Sequence, residues 1–540
     1  VVNNERKDVL LANSNKPNDE AIRPELAEMY QRFSYTLDEN RPEAVAKRQK
    51  KGQRTARENV TDLFDPDSFI EYGALAVAAQ RGRRSEEDLR TRTPADGLIT
   101  GIGTINGDLF GDEKSRCAVM AYDYTVLAGT QGYFNHRKKD RLLKVIHEQH
   151  LPLILFAEGG GGRPGDVDAN SILVCGLDNS TFSMFGAYIG KAPMVGIVSG
   201  RCFAGNAALL GCCDVIIATK NSNIGMGGPV MIEGGGLGTF TPEEVGPADV
   251  QTKSGVIDIL VEDEAEAVAV AKKYLSYFQG PIDNWQAPDQ MRLREIIPKN
   301  RRRVYDMRRV IKTLADVDSV LELRPEFGQD IITALIRIEG RPFGVIANNC
   351  RFMGGAIHAD GADKASRMIQ LCNVHGLPIL ALIDTPGFMV GPEIETHGQV
   401  RHVCRLFANA SHTTVPYFSV VLRRGYGLGA QAMSKGGFHD PVFCVAWPTG
   451  EFGAMGLEGA VTKGFEKQLN AIEDPTERQA LFDKLLDEML ENGKAVNMAA
   501  YLEIDSVIDP IDTRQWVMRG LKSTAANPRK GVTHSFIDTW

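Results

Sequence analysis

Short apolar runs alternate with helix-spaced segments along most of the chain. "LPLILFAEGGGG" (residues 151–162), "APMVGIVSG" (192–200) and "LPILALIDTPGF" (377–388) each end in turn formers. Runs of this length predict strands buried on both faces. Between them, "KKDRLLKVIHEQH" and "DKASRMIQLCNVHG" repeat apolar positions at helical spacing. The alternation predicts an α/β fold. Residues 1–45 are polar, with "NSNKPNDEAIRPE" near their start. They predict a tail or linker that leads into one helix near residues 24–37.

The pattern occurs twice. "LPLILFAEGGGG" matches "LPILALIDTPGF", and "APMVGIVSGRCFAGNAALL" matches "VPYFSVVLRRGYGLGAQAM". "RCAVMAYDYTVLAGTQG" resembles "FGVIANNCRFMGGAIH", and "CDVIIATKNSNIGMGG" resembles "FCVAWPTGEFGAMG". The order is the same in both halves, offset by about 220–230 residues. A period this long makes each copy a domain rather than a solenoid repeat. The expected division is a tail over 1–45, one domain over 46–285 and a second over 286–540. The boundary falls in the turn-rich "GPIDNWQAPDQ".

Composition narrows the class. A chain of 540 residues is too long for one core, which agrees with two domains. With 43% hydrophobic and 24% charged residues it reads as an ordinary soluble protein. Its 55 glycines exceed the usual ~7% share and point to turns and close backbone approaches. A net charge of −8 argues against nucleic acid as a partner. Four local basic clusters, at 47–57, 81–84, 136–141 and 299–303, read as solvated or interface surface, or as a grip on a phosphate-bearing small ligand. Nine cysteines lie scattered without a CxxC, several (Cys175, Cys350, Cys444) in apolar runs. This fits a reducing compartment and gives no metal site. No apolar run approaches the ~18–20 residues of a membrane span, and no signal peptide is visible. The expected location is cytoplasmic, or the mitochondrial matrix in a eukaryote.

The candidate chemistry sits in two matched turns. "SGRCFAGNAALLGCCD" (199–214) and "RRGYGLGAQAMSKGG" (423–437) each pass from a strand through small residues into a helix. Small residues let a ligand oxygen reach the main chain, and a helix start offers N–H groups without internal partners. A pair of such donors forms an oxyanion hole. A dinucleotide site is disfavoured because "GYGLGA" lacks the acidic residue ~20 positions on that such sites use. No GxxxxGK[ST] occurs. Close helix–strand packing would explain one such turn, but two at matching places favour donors. Other candidates carry bland readings. His397 and His402, near Glu393 and Glu395, read as surface or interface residues. Asp384, at the end of a buried strand, is a candidate acid/base but reads first as fixing its loop through an Asx turn, and Glu158 has the same status. Lys435 in "AMSKGG" reads as part of the second helix.

At this point the residues resemble a family. In order, "KGQRTARENVTDLFDPDSFIEYG", "DGLITGIGTINGD", "EGGGGRPGD", "GRCFAGNAALLGCCD", "RRRVYDMRRVI", "IDTPGF", "RRGYGLGAQAMS", "AWPTGEFGAMG" and "IDPIDTR" are similar to the carboxyltransferase (beta) component of biotin-dependent acyl-CoA carboxylases. The resemblance covers nearly all of residues 45–525. It implies a tandem duplication of a crotonase-like (ClpP/crotonase) ββα superhelix domain. It also implies a reaction: carboxybiotin breaks down to CO2 and a biotin enolate, whose nitrogen takes the α-proton of an acyl-CoA. The thioester enolate then attacks CO2. The base comes from the cofactor, so the protein mainly holds two enolate oxyanions.

Carried over by position, the resemblance implies Ala204 and Gly205 as donors on the acyl-CoA side and Leu428 and Gly429 on the biotin side. It places the CoA phosphates at Lys51, Arg54 and Arg57 and the thioester arm at Gly160, Gly161 and Gly162. Tyr426 and Gly427 flank the biotin turn. The family commonly has Gly-Gly and Gly-Ala at the two donor pairs, so Ala204 and Leu428 are departures that bear on pocket width. Acyl-chain selectivity is expected to depend on Ala204, Asn206, Leu428 and Gln431. A homo-oligomer, a hexamer, is implied, with the acyl-CoA half of one subunit facing the biotin half of another. Carboxybiotin is expected from biotin carboxylase and biotin carrier domains or subunits. A start without Met and a long polar lead-in predict the C-terminal part of a single-chain carboxylase. Three other readings stay open: the transferase subunit of a sodium-pumping decarboxylase, a crotonase-type hydratase or isomerase, and a non-catalytic CoA-binding scaffold.

Overall fold

The computed structural model describes residues 22–163, 165–168, 178–524 and 536–540. Cys175 lies outside the described residues. The chain divides into two units, one running to Gln279 and the other beginning at Gly280. Ahead of the first sheet stand the helices Pro24–Ser34 and Pro42–Gln49.

The strands of the first unit are β1 (Ile70–Tyr72), β2 (Leu98–Thr104), β3 (Arg116–Tyr122), β4 (Leu153–Phe156), β5 (Met194–Val198), β6 (Arg201–Phe203), β7 (Val215–Thr219), β8 (Asn223–Gly225) and β9 (Ile259–Val261). Seven form one sheet in the order β1-β2-β3-β4-β5-β7-β9. The first three are antiparallel and the rest parallel. β6 and β8 form a separate parallel pair. β4 and β5 are buried at every position, as parallel strands covered on both faces must be. Leu142, Leu143 and Ile146 of the helix Tyr133–Gln149 pack with Leu155 and Met194 in the core. Each fully buried Leu or Ile contributes about 1.5–3 kcal/mol by leaving water. Gly196 in β5 lets the helix Gly205–Gly211 approach, because a Cβ there would lie 2.5 Å from the Leu210 Cδ1.

The second unit repeats the plan. Its strands are β10 (Leu321–Leu323), β11 (Ile331–Ile338), β12 (Arg341–Asn348), β13 (Ile379–Thr385), β14 (Tyr417–Tyr426), β15 (Phe443–Ala446), β16 (Glu451–Gly453) and β17 (Ser506–Val507). The order is β10-β11-β12-β13-β14-β15-β17, again antiparallel and then parallel. β14 is one long strand where the first unit has β5 and β6, separated at Ser199–Gly200. The far end of β14 pairs with β16, Arg424 opposite Glu451, just as Arg201 of β6 stands opposite Asn223 of β8. Before β4 the helix stops at His150 in a left-handed turn (φ 51°), and before β13 it stops at Gly376 (φ 75°). A proline two residues on prevents continuation in both units.

Two buried lysines also mark the duplication. Lys138 and Lys364 stand 13 residues ahead of Leu151 and Leu377. The Lys138 Nζ donates to the carbonyls of Ala95 and Leu98, and the Lys364 Nζ to those of Phe327 and Ile331. Each ties its helix to the start of a strand. Burial lowers the two ammonium groups to about 8 and about 7, respectively. The basic cluster at 136–141 is therefore in part interior and not a solvated patch.

Candidate active site

In the first unit the loop after β4 lies against the turn between β6 and the helix Gly205–Gly211. Gly161 is buried there while Gly160 and Gly162 are exposed. The Gly160 N–H donates to the Ala128 carbonyl (3.1 Å) and the Gly161 N–H to the Asn206 Oδ1 (3.1 Å). Ala204 caps the helix at φ 52°, ψ −122°, a conformation that costs a residue with a Cβ. Its N–H donates to the Gly225 carbonyl at 3.1 Å, continuing the β6–β8 pairing. Of the pair expected from sequence, Ala204 is thus engaged internally and Gly205 opens the helix. A Cβ on Gly205 would lie 2.9 Å from the Gln131 Nε2 and 3.3 Å from the Phe182 ring. Asn206, expected at a pocket wall, has no exposed surface because it is held beneath the loop.

In the second unit the helix Gly427–Met433 follows β14 directly. Gly427 adopts φ 57°, and a Cβ there would lie 2.8 Å from the Ala454 carbonyl oxygen. Leu428 is 62% exposed. Gly429 is buried and lies directly against the main chain of Gly387 and Phe388. Gln431 is exposed. The Tyr426 ring packs with Leu457, Val461 and Leu469, so this residue faces the turn with its backbone alone. Lys435 lies beyond the end of the helix at φ 60°, not within it as expected, because the helix closes at Met433.

Two carboxylates occupy matched places behind these loops, each seven residues past the leucine that leads into its strand. The Arg48 Nη1 donates to both oxygens of Glu158 (2.9 and 2.7 Å). Asp384 accepts from Arg423 (Nε 3.1 Å, Nη2 2.8 Å) and from the Arg424 Nε (2.7 Å). It therefore anchors an ion-pair cluster and does not simply close a local turn. Gly200 stands where the second unit has Arg423, and its missing Cβ leaves room for the Glu158 carboxylate. The arginine of the first unit comes instead from the helix Pro42–Gln49. Burial raises the Glu158 carboxyl to about 7 against the pull of Arg48, and Glu264 adds repulsion. A carboxyl raised in the folded state stabilises most at low pH. That stability is present below about 4.5 and is lost as pH rises through about 7. Glu158→Gln is expected to remove this component from the pH dependence of thermal unfolding. An unchanged slope between those values would assign it to another group.

The N-terminal basic residues divide. Lys51 is exposed, its Nζ 5.8 Å from the centre of the Tyr124 ring. Arg54 pairs with Asp62 at 2.7 Å, and Arg57 forks onto Glu71 at 2.9 and 3.2 Å. Arg81 and Arg84 pair with Glu86 and Asp88, and Arg301 with Glu451 and Glu458. His402 binds Asp363 at 2.6 Å, while His397 precedes the helix Gln399–His412. Among the described residues no group of three His, Cys, Asp or Glu is placed to hold a metal ion. No described helix is long and apolar enough to cross a membrane. The Asn206 Oδ1 also accepts from the Gln131 Nε2 (3.4 Å), and the Gln131 Oε1 accepts from the Lys139 Nζ (2.6 Å), links that were not legible in the sequence. The polar Asn206 amid small residues was the one available signal.

The two tandem units, each setting a loop against a small-residue turn, have the crotonase-like fold of solved carboxyltransferases. The chain belongs to the family of the carboxyl transferase domain, whose model matches residues 47–536. It is 31% identical over 502 residues to the methylmalonyl-CoA carboxyltransferase 12S subunit of Propionibacterium freudenreichii subsp. shermanii, covering 89% of this chain and 90% of that one. A solved single-chain, multi-domain long-chain acyl-CoA carboxylase matches with a TM-score of 0.88 and 55% identity, over 92% of this chain and 49% of that one. The solved transcarboxylase 12S hexamer with methylmalonyl-CoA bound matches at a TM-score of 0.79 and 28% identity, over 95% of this chain and 99% of that one. This chain is accordingly an enzyme of the acyl-CoA carboxylase carboxyltransferase kind.

Proposed function

We propose that this chain moves a carboxyl group from carboxybiotin to the α-carbon of an acyl-CoA thioester. The observation that carries the reading is the recurrence of one local geometry, a loop packed on a small-residue turn, in both units. In the first unit the Gly205 N–H, beside the loop at 159–162, holds the enolate oxygen of the thioester. Lys51, exposed in the N-terminal cluster alongside Lys47 and Lys50, meets a CoA phosphate. Arg54 and Arg57 hold the surrounding backbone through their ion pairs. In the second unit the N–H groups of Leu428 and Gly429 hold the oxygen of the biotin ring. Bound carboxybiotin supplies the carboxyl carbon and the proton acceptor. The backbone donors favour negative oxygen without needing a titratable side chain.

The matched carboxylates weigh against a hydratase or isomerase, which needs carboxyl groups aimed at the substrate. Glu158 and Asp384 are each held by arginine. Carboxybiotin arrives on a biotin carrier charged by a biotin carboxylase, as further domains or subunits. A homo-oligomer, hexameric as in the solved 12S structure, belongs to the same proposal. The purified chain is expected to decarboxylate malonyl- or methylmalonyl-CoA only when free biotin is added. Biotin-independent turnover, or none with any malonyl-type CoA, would overturn the reading.

A further inference from the structure

We infer that Asn206 is a positioning residue for the acyl-CoA half. Its buried carboxamide sets the spacing between the loop at 159–162 and the backbone at Gly205. The inference rests on the proposed role of the first unit.

The Asn206 Oδ1 accepts from the Gly161 N–H (3.1 Å) and from the Gln131 Nε2 (3.4 Å), while its Nδ2 donates to the Gly129 carbonyl (3.3 Å). Behind it the Lys139 Nζ donates to the Gln131 Oε1 (2.6 Å) and to the Tyr122 Oη (2.9 Å). Asn206 and Lys139 are wholly buried and Gln131 is 4% exposed. Burial holds the Lys139 ammonium well below its ordinary range, against the pull of Asp140 and Asp96 and with repulsion from Arg163.

The chain of bonds has one polarity. The Gly161 N–H can only donate and the Gly129 carbonyl can only accept, so the Asn206 oxygen must face Gly161 and its NH2 must face Gly129. The Asn206 oxygen in turn accepts from the Gln131 NH2, which turns the Gln131 oxygen toward the Lys139 Nζ. A flipped Asn206 would set NH2 against N–H and oxygen against the Gly129 carbonyl. The backbone of Gln131 is tied to the same loop, its N–H donating to the Gly161 carbonyl (2.7 Å) and its carbonyl accepting from the Arg163 N–H (2.9 Å). One side-chain orientation is thus enforced from the loop backbone inward.

The second unit shows what the side chain adds. Gly429 stands at the position of Asn206, and there the backbone of Gly387 and Phe388 closes directly onto the turn. In the first unit a carboxamide lies between loop and turn. Gly159 must lack a Cβ for it to fit, since one would lie 2.2 Å from the Asn206 Nδ2. The duplicated geometry is therefore held at two widths, and Asn206 sets the one on the acyl-CoA side.

Asn206→Ala is expected to lower kcat for biotin-dependent decarboxylation of methylmalonyl-CoA about 10–100-fold, the scale of an ångström-level misplacement. KM is expected to stay within about threefold, since the loop is aligned for the transition state. Amide hydrogen exchange of residues 159–163 is expected to accelerate. Asn206→Asp keeps the size and both acceptor contacts but loses the donor to Gly129. Its kcat is expected to be low at alkaline pH and to recover on acidification as the carboxyl regains a proton, a recovery absent from the wild type. This isosteric variant keeps the test available should Asn206→Ala not fold. Wild-type turnover with unchanged kcat and exchange in either folded variant would overturn the inference. An inactive wild type would instead overturn the functional reading, and the exchange measurement would still test the contact.

Discussion

Gly429→Val is expected to lower biotin-dependent turnover by about 100-fold or more while the protein stays folded. A Cβ at this position would lie 2.7 Å from the Gly387 carbonyl carbon, 2.8 Å from its Cα and 2.9 Å from the Phe388 nitrogen. All three atoms are main chain, so no rotamer change relieves the contact. The loop is pinned as well. The Thr385 Oγ1 donates to the Gly355 carbonyl (2.7 Å) and accepts from the Gly387 N–H (3.1 Å), and the Gly387 carbonyl accepts from the Ile357 N–H (3.1 Å). On the other side Ala430, Ala432 and Met433 seat the helix in the interior. Strain must therefore open the gap between loop and turn and displace the N–H groups of residues 428 and 429. Loss of one oxyanion donor typically costs 10²–10³-fold in kcat. Leu428→Ala is the informative contrast. That side chain is 62% exposed and its removal leaves the N–H in place, so kcat should change only a few-fold. Steady-state kinetics on malonyl-type CoA with free biotin, beside circular dichroism, reads both variants. Turnover of Gly429→Val within threefold of wild type would remove this turn from the chemistry.

The largest stability effect is expected from Asp384→Ala. Asp384 and the Arg423 side chain are 0% and 3% exposed, and Arg423 also donates to the carbonyls of Arg301 and Arg303. Truncation leaves a buried guanidinium without its counter-charge, a loss of about 3–5 kcal/mol. For a unit of this size that lowers the unfolding midpoint by roughly 6–20 °C. Asp384→Asn keeps an acceptor at the site and should fall between the two. Calorimetry would show the shift in the transition of the second unit, and a change below about 2 °C would mean that the arginines find other partners. Glu158→Gln should be far milder. The Glu158 carboxyl already lies near neutrality at about 7, so its charge contributes little that a neutral amide loses.

The duplication was legible because each half must bury the same strands and cap the same helices. "LPLILFAEGGGG" and "LPILALIDTPGF" carry the apolar run, the proline and the closing loop in one order. The two turns were legible for a related reason, since small residues recur wherever backbone must approach backbone. What each polar residue meets was not legible. Lys138 and Lys139 look like surface charge in "HRKKDR", yet both are buried, one on strand carbonyls and the other on Gln131 and Tyr122. Arg54 and Arg57 look like a phosphate grip, yet they pair with Asp62 and Glu71. A charge pattern records which groups exist and not which of them the folded chain brings within 3 Å of one another.

By itself the sequence determined the α/β class, the tandem repeat and the two turns that open helices after central strands. Those follow from local periodicity and backbone freedom, which neighbouring residues specify. The tertiary structure alone decided that the Ala204 N–H is taken by Gly225, and that Glu158 finds its arginine 110 residues away while Asp384 finds two on the adjacent strand. It also decided that Asn206 spans the gap which Gly429 closes directly. Each of these is a contact between segments distant in sequence. Such contacts are selected by which buried polar groups can satisfy one another once the sheets have formed.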